Sequence, residues 1–289
     1  MESYSRKEKL IFDNNQGQTL EISVLSPFYL DSAEGLDAME NEFFTSKSYG
    51  IDGLSLSGSS VKERNIVING RLRIDKDINR SRLIRFFNPK HVFTLQYTNG
   101  EISRYIKCHA EKTPVINKAP YPEFMISLLC PKPWWFDNEI KTDIASWIGG
   151  FSFPLVIPAD TGIRMGYREP SLIVNVLNAS DNEAPLRLEY RALGTLRNPS
   201  VVNVETQEKI LIEKEMQAGD IITISTERGN EYVRLSRNGI VSNIFNYLSF
   251  DSNPHLALDL GDNLLRYDAG LNVDNLEVSI YFTPQYVGV

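Results

Sequence analysis

The chain has 289 residues, of which 42% are hydrophobic and 23% are charged, so it is long enough and apolar enough to bury two separate cores. A formal net charge of −7 argues against a nucleic-acid partner, because phosphate backbones bind basic faces. The longest apolar run, 151–159, contains two prolines and is far shorter than the roughly 18 residues of a membrane-spanning helix. We therefore expect a globular protein that inserts into no membrane. The polar first residues predict synthesis in the cytoplasm without export.

Two Asn-Gly pairs in the first half of the chain predict different structures. A two-residue hairpin at Asn69-Gly70 would place isoleucines opposite arginines, so we predict one continuous strand over 61–74. Gly70 would then mark a bulge or a close approach of another backbone. Asn99-Gly100 has extended apolar and aromatic residues on both sides, which predicts a hairpin joining 91–97 to 101–110.

Between these strands the sequence predicts one amphipathic helix that packs on a sheet. Asp77 is the expected N-cap, and Asn88-Pro89 is expected to end the helix. The apolar stripe of this helix would consist of Ile78, Leu83, Ile84, Phe86 and Phe87.

The segment from Cys130 to Asp137 separates two halves with different patterns. Proline resists helix and tryptophan buries a large area, so this segment predicts a short rigid join between two domains, 1–132 and 133–289. The downstream half alternates short strands with turns, which is typical of an antiparallel sandwich. The residues expected to form the join are Pro131, Pro133, Trp134 and Trp135.

The sequence contains no recognisable catalytic, cofactor or metal motif. The run Gly53-Leu54-Ser55-Leu56-Ser57-Gly58 approaches a nucleophile elbow, but its last glycine comes one place late, so we expect a hairpin tip instead. The three histidines and the aspartates near the C-terminus lack metal-ligand spacing. Cys108 and Cys130 are expected to be reduced and buried. We therefore expect no catalytic residue, no cofactor and no bound metal.

Several pieces of the chain, taken in order, resemble the distal tail protein (Dit) family of phages with long non-contractile tails, particularly phages that infect Gram-positive bacteria. The resemblance spans nearly the whole chain. The pieces that carry it are Gly50-Ile51-Asp52-Gly53, Arg64-Asn65-Ile66-Val67-Ile68, the helix end Phe86-Phe87-Asn88-Pro89, the join Cys130-Pro131-Lys132-Pro133-Trp134-Trp135-Phe136, and Leu258-Asp259-Leu260-Gly261-Asp262-Asn263.

The resemblance implies a mainly β fold. An N-terminal β-sandwich-like domain with one α-helix and a projecting hairpin would precede a C-terminal galectin-like antiparallel β-sandwich. The hairpin would map to 45–62, a stretch rich in glycine and serine that cannot form a core, and pairing with a neighbouring subunit would order it. The residues expected in this subunit contact are Gly50, Asp52, Gly53, Ser57, Gly58 and Arg64.

The resemblance also implies a structural role at the tip of the virion tail rather than catalysis. The N-terminal domains would form a homo-hexameric ring, single or stacked, that joins the tail tube to the tip or baseplate. The implied partners are other copies of the chain, the major tail tube protein, the tail-tip protein, and a receptor-binding protein or baseplate subunits.

Two alternative functions stay open. A lectin-like module that recognises host cell-wall sugar would need an exposed aromatic beside polar side chains. Trp147 and Tyr167 are the candidates, although the apolar neighbours of Trp147 favour burial. An enzyme acting on wall polymer would need two carboxylates at a separation that only a three-dimensional structure gives. A ring that binds no glycan would distinguish the hub from the lectin.

Overall fold

The computed structural model describes residues 7–50, 52–144 and 172–289, together with the backbone of 147–149 and 166–168. The chain divides into two compact units. The first runs to Asp137 and also includes Gln285–Val289, whereas the second is Asn138–Pro284. Within the described ranges, no helix is both long enough and apolar enough to cross a membrane.

The first unit is built mainly of short strands with one α-helix. In chain order its elements are β1 (Lys9–Asp13), β2 (Thr19–Ser23), β3 (Phe28–Glu34), β4 (Asn41–Ser46), β5 (Ser55–Val61), β6 (Arg64–Leu72), α1 (Lys76–Phe86), β7 (Val92–Thr98), β8 (Ser103–Ala110), β9 (Val115–Ile116), β10 (Glu123–Cys130) and β11 (Trp135–Phe136).

The remaining strands belong to the second unit, except the last one, which returns to the first. They are β12 (Ile140–Ile144), β13 (Trp147–Gly149), β14 (Gly166–Arg168), β15 (Ile173–Asn178), β16 (Ala184–Ala192), β17 (Leu196–Asn203), β18 (Lys209–Leu211), β19 (Glu215–Met216), β20 (Ile221–Ser225), β21 (Tyr232–Arg237), β22 (Ile240–Asn243), β23 (Ala257–Leu258), β24 (Gly261–Leu271), β25 (Leu276–Phe282) and β26 (Gln285–Tyr286). Two short 3-10 helices are Phe245–Tyr247 and Val273–Asn275.

The main sheet of the first unit closes on itself. Its strand order is β26-β11-β8-β7-β1-β2-β3-β6-β10-β9, and β8 also pairs with β10, so seven of these strands form a barrel. Apolar side chains fill the barrel, and Phe87, which follows α1, packs edge-on against Phe12 with ring centroids 4.9 Å apart. The helix is thereby fixed to the barrel at its C-terminal end.

The predictions for the two Asn-Gly pairs are confirmed. β6 runs through Asn69-Gly70 without a turn, and a Cβ on Gly70 would lie 2.3 Å from the carbonyl oxygen of Tyr29 and 2.4 Å from the Phe124 ring. Only glycine permits this close approach. Asn99-Gly100 turns β7 into β8, with φ of 94° at Gly100. Glycine adopts such positive φ at little cost.

The predicted start of the helix is wrong by two residues. Asp75, not Asp77, holds the N-cap position, with a left-handed φ of 44° and no side-chain capping bond. Asp77 instead lies in the first turn, where a carboxylate favourably faces the positive end of the helix dipole. The apolar stripe is also only partly buried, because Leu83 and Phe86 face the core whereas Ile78 is 72% exposed.

Both cysteines are free and buried, as the sequence predicts. Cys108 on β8 and Cys130 on β10 lie within hydrogen-bonding reach of each other. This bond, together with burial, raises the pKa of the Cys108 thiol. The thiols therefore behave as small core side chains of the barrel.

The second unit is an antiparallel sandwich, which confirms the predicted fold of the downstream half. One sheet has the order β12-β25-β16-β20-β21-β22, and the other has the order β15-β24-β17-β18. β25 shows the strict alternation expected of a half-buried strand, since Leu276, Val278, Ile280 and Phe282 are all buried. The core of this unit lies between the two sheets.

The division between the units falls after Asp137, later than the boundary placed after residue 132. β11 pairs with β26, with Trp135 opposite Tyr286 and Phe136 opposite Gln285, and Trp135 is fully buried in the barrel core. The first unit therefore includes both the join and the C-terminal tail. Both chain connections to the second unit leave from one antiparallel ribbon.

Because both connections leave from this ribbon, we expect the first unit to stay folded when the second unit is deleted. Replacing 137–284 by Asn-Gly should leave a folded barrel, because Phe136 and Gln285 are already paired and Asn-Gly closes a two-residue hairpin. A matched truncation after Lys132 removes β11, β26 and Trp135, and it should lose cooperative unfolding. Thermal melts and amide exchange on both variants provide the measurement. A folded truncation beside an unfolded excision variant would contradict the assignment of Trp135 and the tail to this unit.

A buried ion pair predicts the pH dependence of the second unit. Asp220 is 2% exposed, and hydrogen bonds from Arg237 and from the backbone of Gln217 lower the pKa of its carboxyl group. Because the pKa of Asp220 is lower in the folded state, the ion pair stabilises the fold at pH values above the unfolded-state pKa of about 3.9. This stabilisation is lost as the pH falls through the folded-state pKa.

Asp220→Asn should therefore lower the unfolding free energy by about 1–3 kcal/mol at pH 7, and the difference from wild type should shrink below about pH 4. Glu215→Gln is the matched control, because its partner Arg197 and Glu215 are both about half exposed. It should cost less than about 1 kcal/mol. Denaturant titrations at several pH values measure both. A penalty for Asp220→Asn that persists unchanged at low pH would contradict the account.

Candidate functional site

The β4–β5 hairpin is the most exposed element of the first unit. It forms a two-stranded sheet of its own, apart from the barrel. Every residue of β4 is exposed, and in β5 only Gly58 is half-buried. We call residues 41–61 the arm. At its base the backbone N–H of Lys62 donates to the carbonyl oxygen of Glu40 at 2.9 Å. The arm begins earlier than the predicted hairpin, 45–62.

Five of the residues predicted for the subunit contact lie in this arm. Gly50 and Gly53 have φ of 80° and 90°, so they turn the tip, and Asp52 lies between them. Gly58 pairs with Phe44 while Leu56 pairs with Thr45, which leaves Ser57 as the extra residue of a bulge. The glycines and serines thus shape a bent, narrow ribbon.

The arm exposes large apolar side chains on both faces. Phe43 is 59% exposed and Phe44 is 50% exposed, and neighbouring strand residues point to opposite faces. On β5, Leu56 is 63% exposed. An isolated two-stranded ribbon is at best marginally stable in water, and exposed apolar surface of this kind marks an interaction site. The arm therefore has the properties of a segment that another surface covers.

Arg64 is not part of the arm, which corrects its predicted place in the subunit contact. It begins β6 and is 3% exposed. Its guanidinium donates to backbone carbonyl oxygens from separate segments: Pro133 at 2.7 Å, Gly35 at 2.8 Å, Leu36 at 2.7 Å and Val287 at 2.5 Å. Burial lowers the pKa of Arg64. The side chain is committed to holding the barrel together.

The join residues are also anchored in the first unit. The indole N–H of Trp135 donates to the carbonyl oxygen of Leu36 at 2.8 Å, the same oxygen that accepts from Arg64. Pro133 supplies another of the carbonyls, whereas Pro131 is exposed and Trp134 is partly exposed. Buried tryptophan N–H groups normally need such a partner. The segment is rigid because its backbone and its indole are both hydrogen-bonded.

Sequence reasoning missed the C-terminal tail. Arg104 stacks over the Tyr286 ring at 3.5 Å and donates to the carbonyl oxygen of Gly288, while the backbone N–H of Val289 donates to Asp37 at 3.2 Å. No local pattern marks these contacts, because each joins residues far apart in the chain. The tail completes the set of partners around Arg64.

Other candidate chemistry finds little support among the described residues. No group of three His, Cys, Asp or Glu side chains there is placed to hold a metal ion. A polar cavity of about 320 Å³ in the second unit is lined by Glu183, Glu208, Arg228, Asn253, His255 and other residues, and no Phe, Tyr or Trp is among its described lining. The side chains of Trp147 and Tyr167, the candidate sugar-stacking residues, lie outside the described residues.

Comparisons with known proteins agree with the two-unit architecture. A family model described as a phage tail protein RIFT-related domain matches residues 15–130, and one described as a siphovirus-type tail component, C-terminal domain, matches residues 179–286. No curated protein matches the chain.

Two solved structures share the fold over nearly their full lengths. The Dit protein of phage SPP1, described as a paradigm of the hub adsorption apparatus in phages infecting Gram-positive bacteria, is 12% identical, with a TM-score of 0.69 over 96% of this chain and 98% of that chain. A chain of the phage P2 baseplate, in its activated conformation with Ca, is 12% identical, with a TM-score of 0.55 over 98% of this chain and 99% of that chain.

From its contacts, we expect replacement of Arg64 to destabilise the first unit much more than replacement of an exposed arginine on the same strand. Arg64→Met should lower the unfolding free energy of the first unit by about 3 kcal/mol or more, because several buried carbonyls lose a charged donor at once. Arg71→Met on the same strand is the matched control. Arg71 is half exposed and pairs with Asp31 at 3.0 Å, so its loss should cost less than about 1 kcal/mol. Denaturant unfolding measures both, and equal effects would contradict the role of Arg64.

Proposed function

Because the chain belongs to the distal tail (Dit) family of siphophages, whose members are structural components of the virion tail, we propose that it forms the hub ring that joins the tail tube to the tip or baseplate. The arm is the observation that carries this proposal. It exposes apolar side chains on both faces and belongs to no larger sheet within the described chain. Such a ribbon is stabilised when a neighbouring subunit covers it.

The division of the chain supports a separation of tasks. The first unit supplies a closed barrel, a helix and the arm, which are rigid elements suited to repeated contacts around a ring. The second unit is a sandwich whose two ends leave from one ribbon, an arrangement suited to a module that carries other proteins. The proposed partners are other copies of the chain, the tail tube protein, the tail-tip protein, and receptor-binding or baseplate subunits.

The hexameric count rests on the family resemblance. We propose that six copies form the ring and that the ring is part of the virion tail. The chain would be synthesised in the host cytoplasm, where its two buried thiols stay reduced. A lectin role gains no support from the polar cavity of the second unit, because its described lining includes no Phe, Tyr or Trp on which a sugar ring could stack. The family is one of structural tail proteins and not a class of enzymes.

Removing the apolar side chains of the arm should weaken assembly without unfolding the protein. We expect wild type to form rings, alone or with tail partners, and Phe43→Ser with Phe44→Ser to shift the population towards monomer, because the arm would lose its apolar contact surface. Sedimentation velocity over a range of concentrations measures the shift.

The matched control makes the same double change in the second unit. Phe245 and Phe250 are 42% and 107% exposed, so Phe245→Ser with Phe250→Ser removes similar apolar surface outside the arm. It should leave ring formation unchanged. Wild type that stays monomeric under every condition, or an arm variant that assembles as well as wild type, would count against the proposal.

A further inference from the structure

A groove of about 720 Å³ lies along helix α1 on the first unit. Ile78, Arg82 and Arg85 line one side, and Gln18 and Thr19 at the start of β2 line the other. Ile78 is 72% exposed, which is unusual for an isoleucine on a helix that packs against a core. The volume is that of a site for a compact ligand or for several side chains.

The arginines of this groove are not neutralised within the described chain. Neither Arg82 nor Arg85 forms an ion pair there, and only Asp77 adds a negative charge to the lining. The groove thus combines an exposed apolar side chain with a net positive charge. A suitable occupant would carry an apolar side chain next to a carboxylate.

The arm carries that combination on one of its two faces. Glu42 and Phe44 are two residues apart on β4, so both point to the same face, and Gly58 opposite Phe44 leaves space beside the ring. Glu42 forms no ion pair among the described residues, and the other carboxylate of the arm, Asp52, lies at the tip. The second face carries Phe43 and Leu56 but no carboxylate.

The spacing of the two surfaces agrees. Residues two apart on a strand are separated by about 7 Å. Ile78 and Arg82 are four residues apart on one helix face, where neighbouring Cβ atoms are about 5–6 Å apart, and Arg85 continues the same stripe. Phe44 can therefore contact Ile78 while Glu42 faces Arg82 and Arg85.

We propose that the groove along α1 receives the arm of a second copy of this chain, with Phe44 against Ile78 and Glu42 against Arg82 and Arg85. The inference rests on the proposed ring and specifies its contact. Because the arm and the groove are different surfaces, each copy gives one arm and receives another. Such a heterologous contact forms a closed ring when the rotation that relates neighbouring copies adds up to a full turn.

Cross-linking between two single variants directly tests whether the arm lies in the groove along α1. Copies carrying Ser46→Cys on the Glu42 face are mixed with copies carrying Ser81→Cys in the groove and treated with a short bis-maleimide. The native thiols are buried, so the introduced ones should react first. We expect a heterodimer from the mixture and none from either variant alone. Ser46→Cys mixed with Lys112→Cys, an exposed position outside the groove lining, is the control and should give at least about tenfold less product.

Charge exchange tests the polar part of the contact. Glu42→Arg should weaken association by about tenfold or more, because like charges would meet, and adding Arg82→Glu should restore most of the loss. Thermal melts show whether each variant is folded. If Arg82→Glu fails to fold, the cross-link still decides, because it changes only exposed serines.

The outcomes separate this inference from the ring itself. If wild type forms a ring but positions 46 and 81 give no cross-link above the control, the proposed contact between arm and groove is wrong and the proposed ring still holds. A wild type that never assembles, alone or with tail partners, overturns both. A specific cross-link together with charge rescue supports both.

Discussion

The guanidinium of Arg64 is the interaction on which the rest of the first unit depends. It joins the Gly35–Leu36 segment, Pro133 of the join and Val287 of the tail, which no continuous sheet connects at these points. A Cβ on Gly35 would lie 2.0 Å from the carbonyl oxygen of Asn65, so glycine is required at position 35, whose own carbonyl oxygen accepts from Arg64. Because a buried cation must be fully hydrogen-bonded, these segments are held in one arrangement. The arm returns to the barrel just before Arg64, so this arginine fixes the base of the arm.

This arrangement links stability to assembly. The exposed arm has no hydrophobic core to stabilise it, whereas the barrel is closed and well packed. A rigid base reduces the conformational entropy that the arm loses when a neighbouring subunit covers it. The second unit folds around its own core and joins the barrel through one ribbon, so its contacts can be used for other partners. The architecture thus suits a hub that repeats one contact around a ring and presents a separate module from each copy.

Local features of the structure were predictable from the sequence, and long-range ones were not. The continuous strand through Gly70, the Asn99-Gly100 turn and the alternation of β25 follow from periodicity and turn chemistry within a few residues. The N-cap was misplaced because Asp75 adopts a left-handed conformation that sequence patterns do not reveal. The role of Arg64 was missed because its acceptors are backbone carbonyls from distant segments, which carry no residue signature. Glycine and serine indicate the tip and second strand of the arm, but the first half of β4 contains neither residue, so the predicted hairpin begins too late.

Electron microscopy of the purified protein, alone and with its tail partners, shows whether the arm of each copy holds the next copy in a ring. We expect closed rings in class averages, with density from each barrel crossing to the α1 side of the next copy. Isolated monomers under every condition, or rings in which the arms point freely into solvent, would contradict the proposed ring.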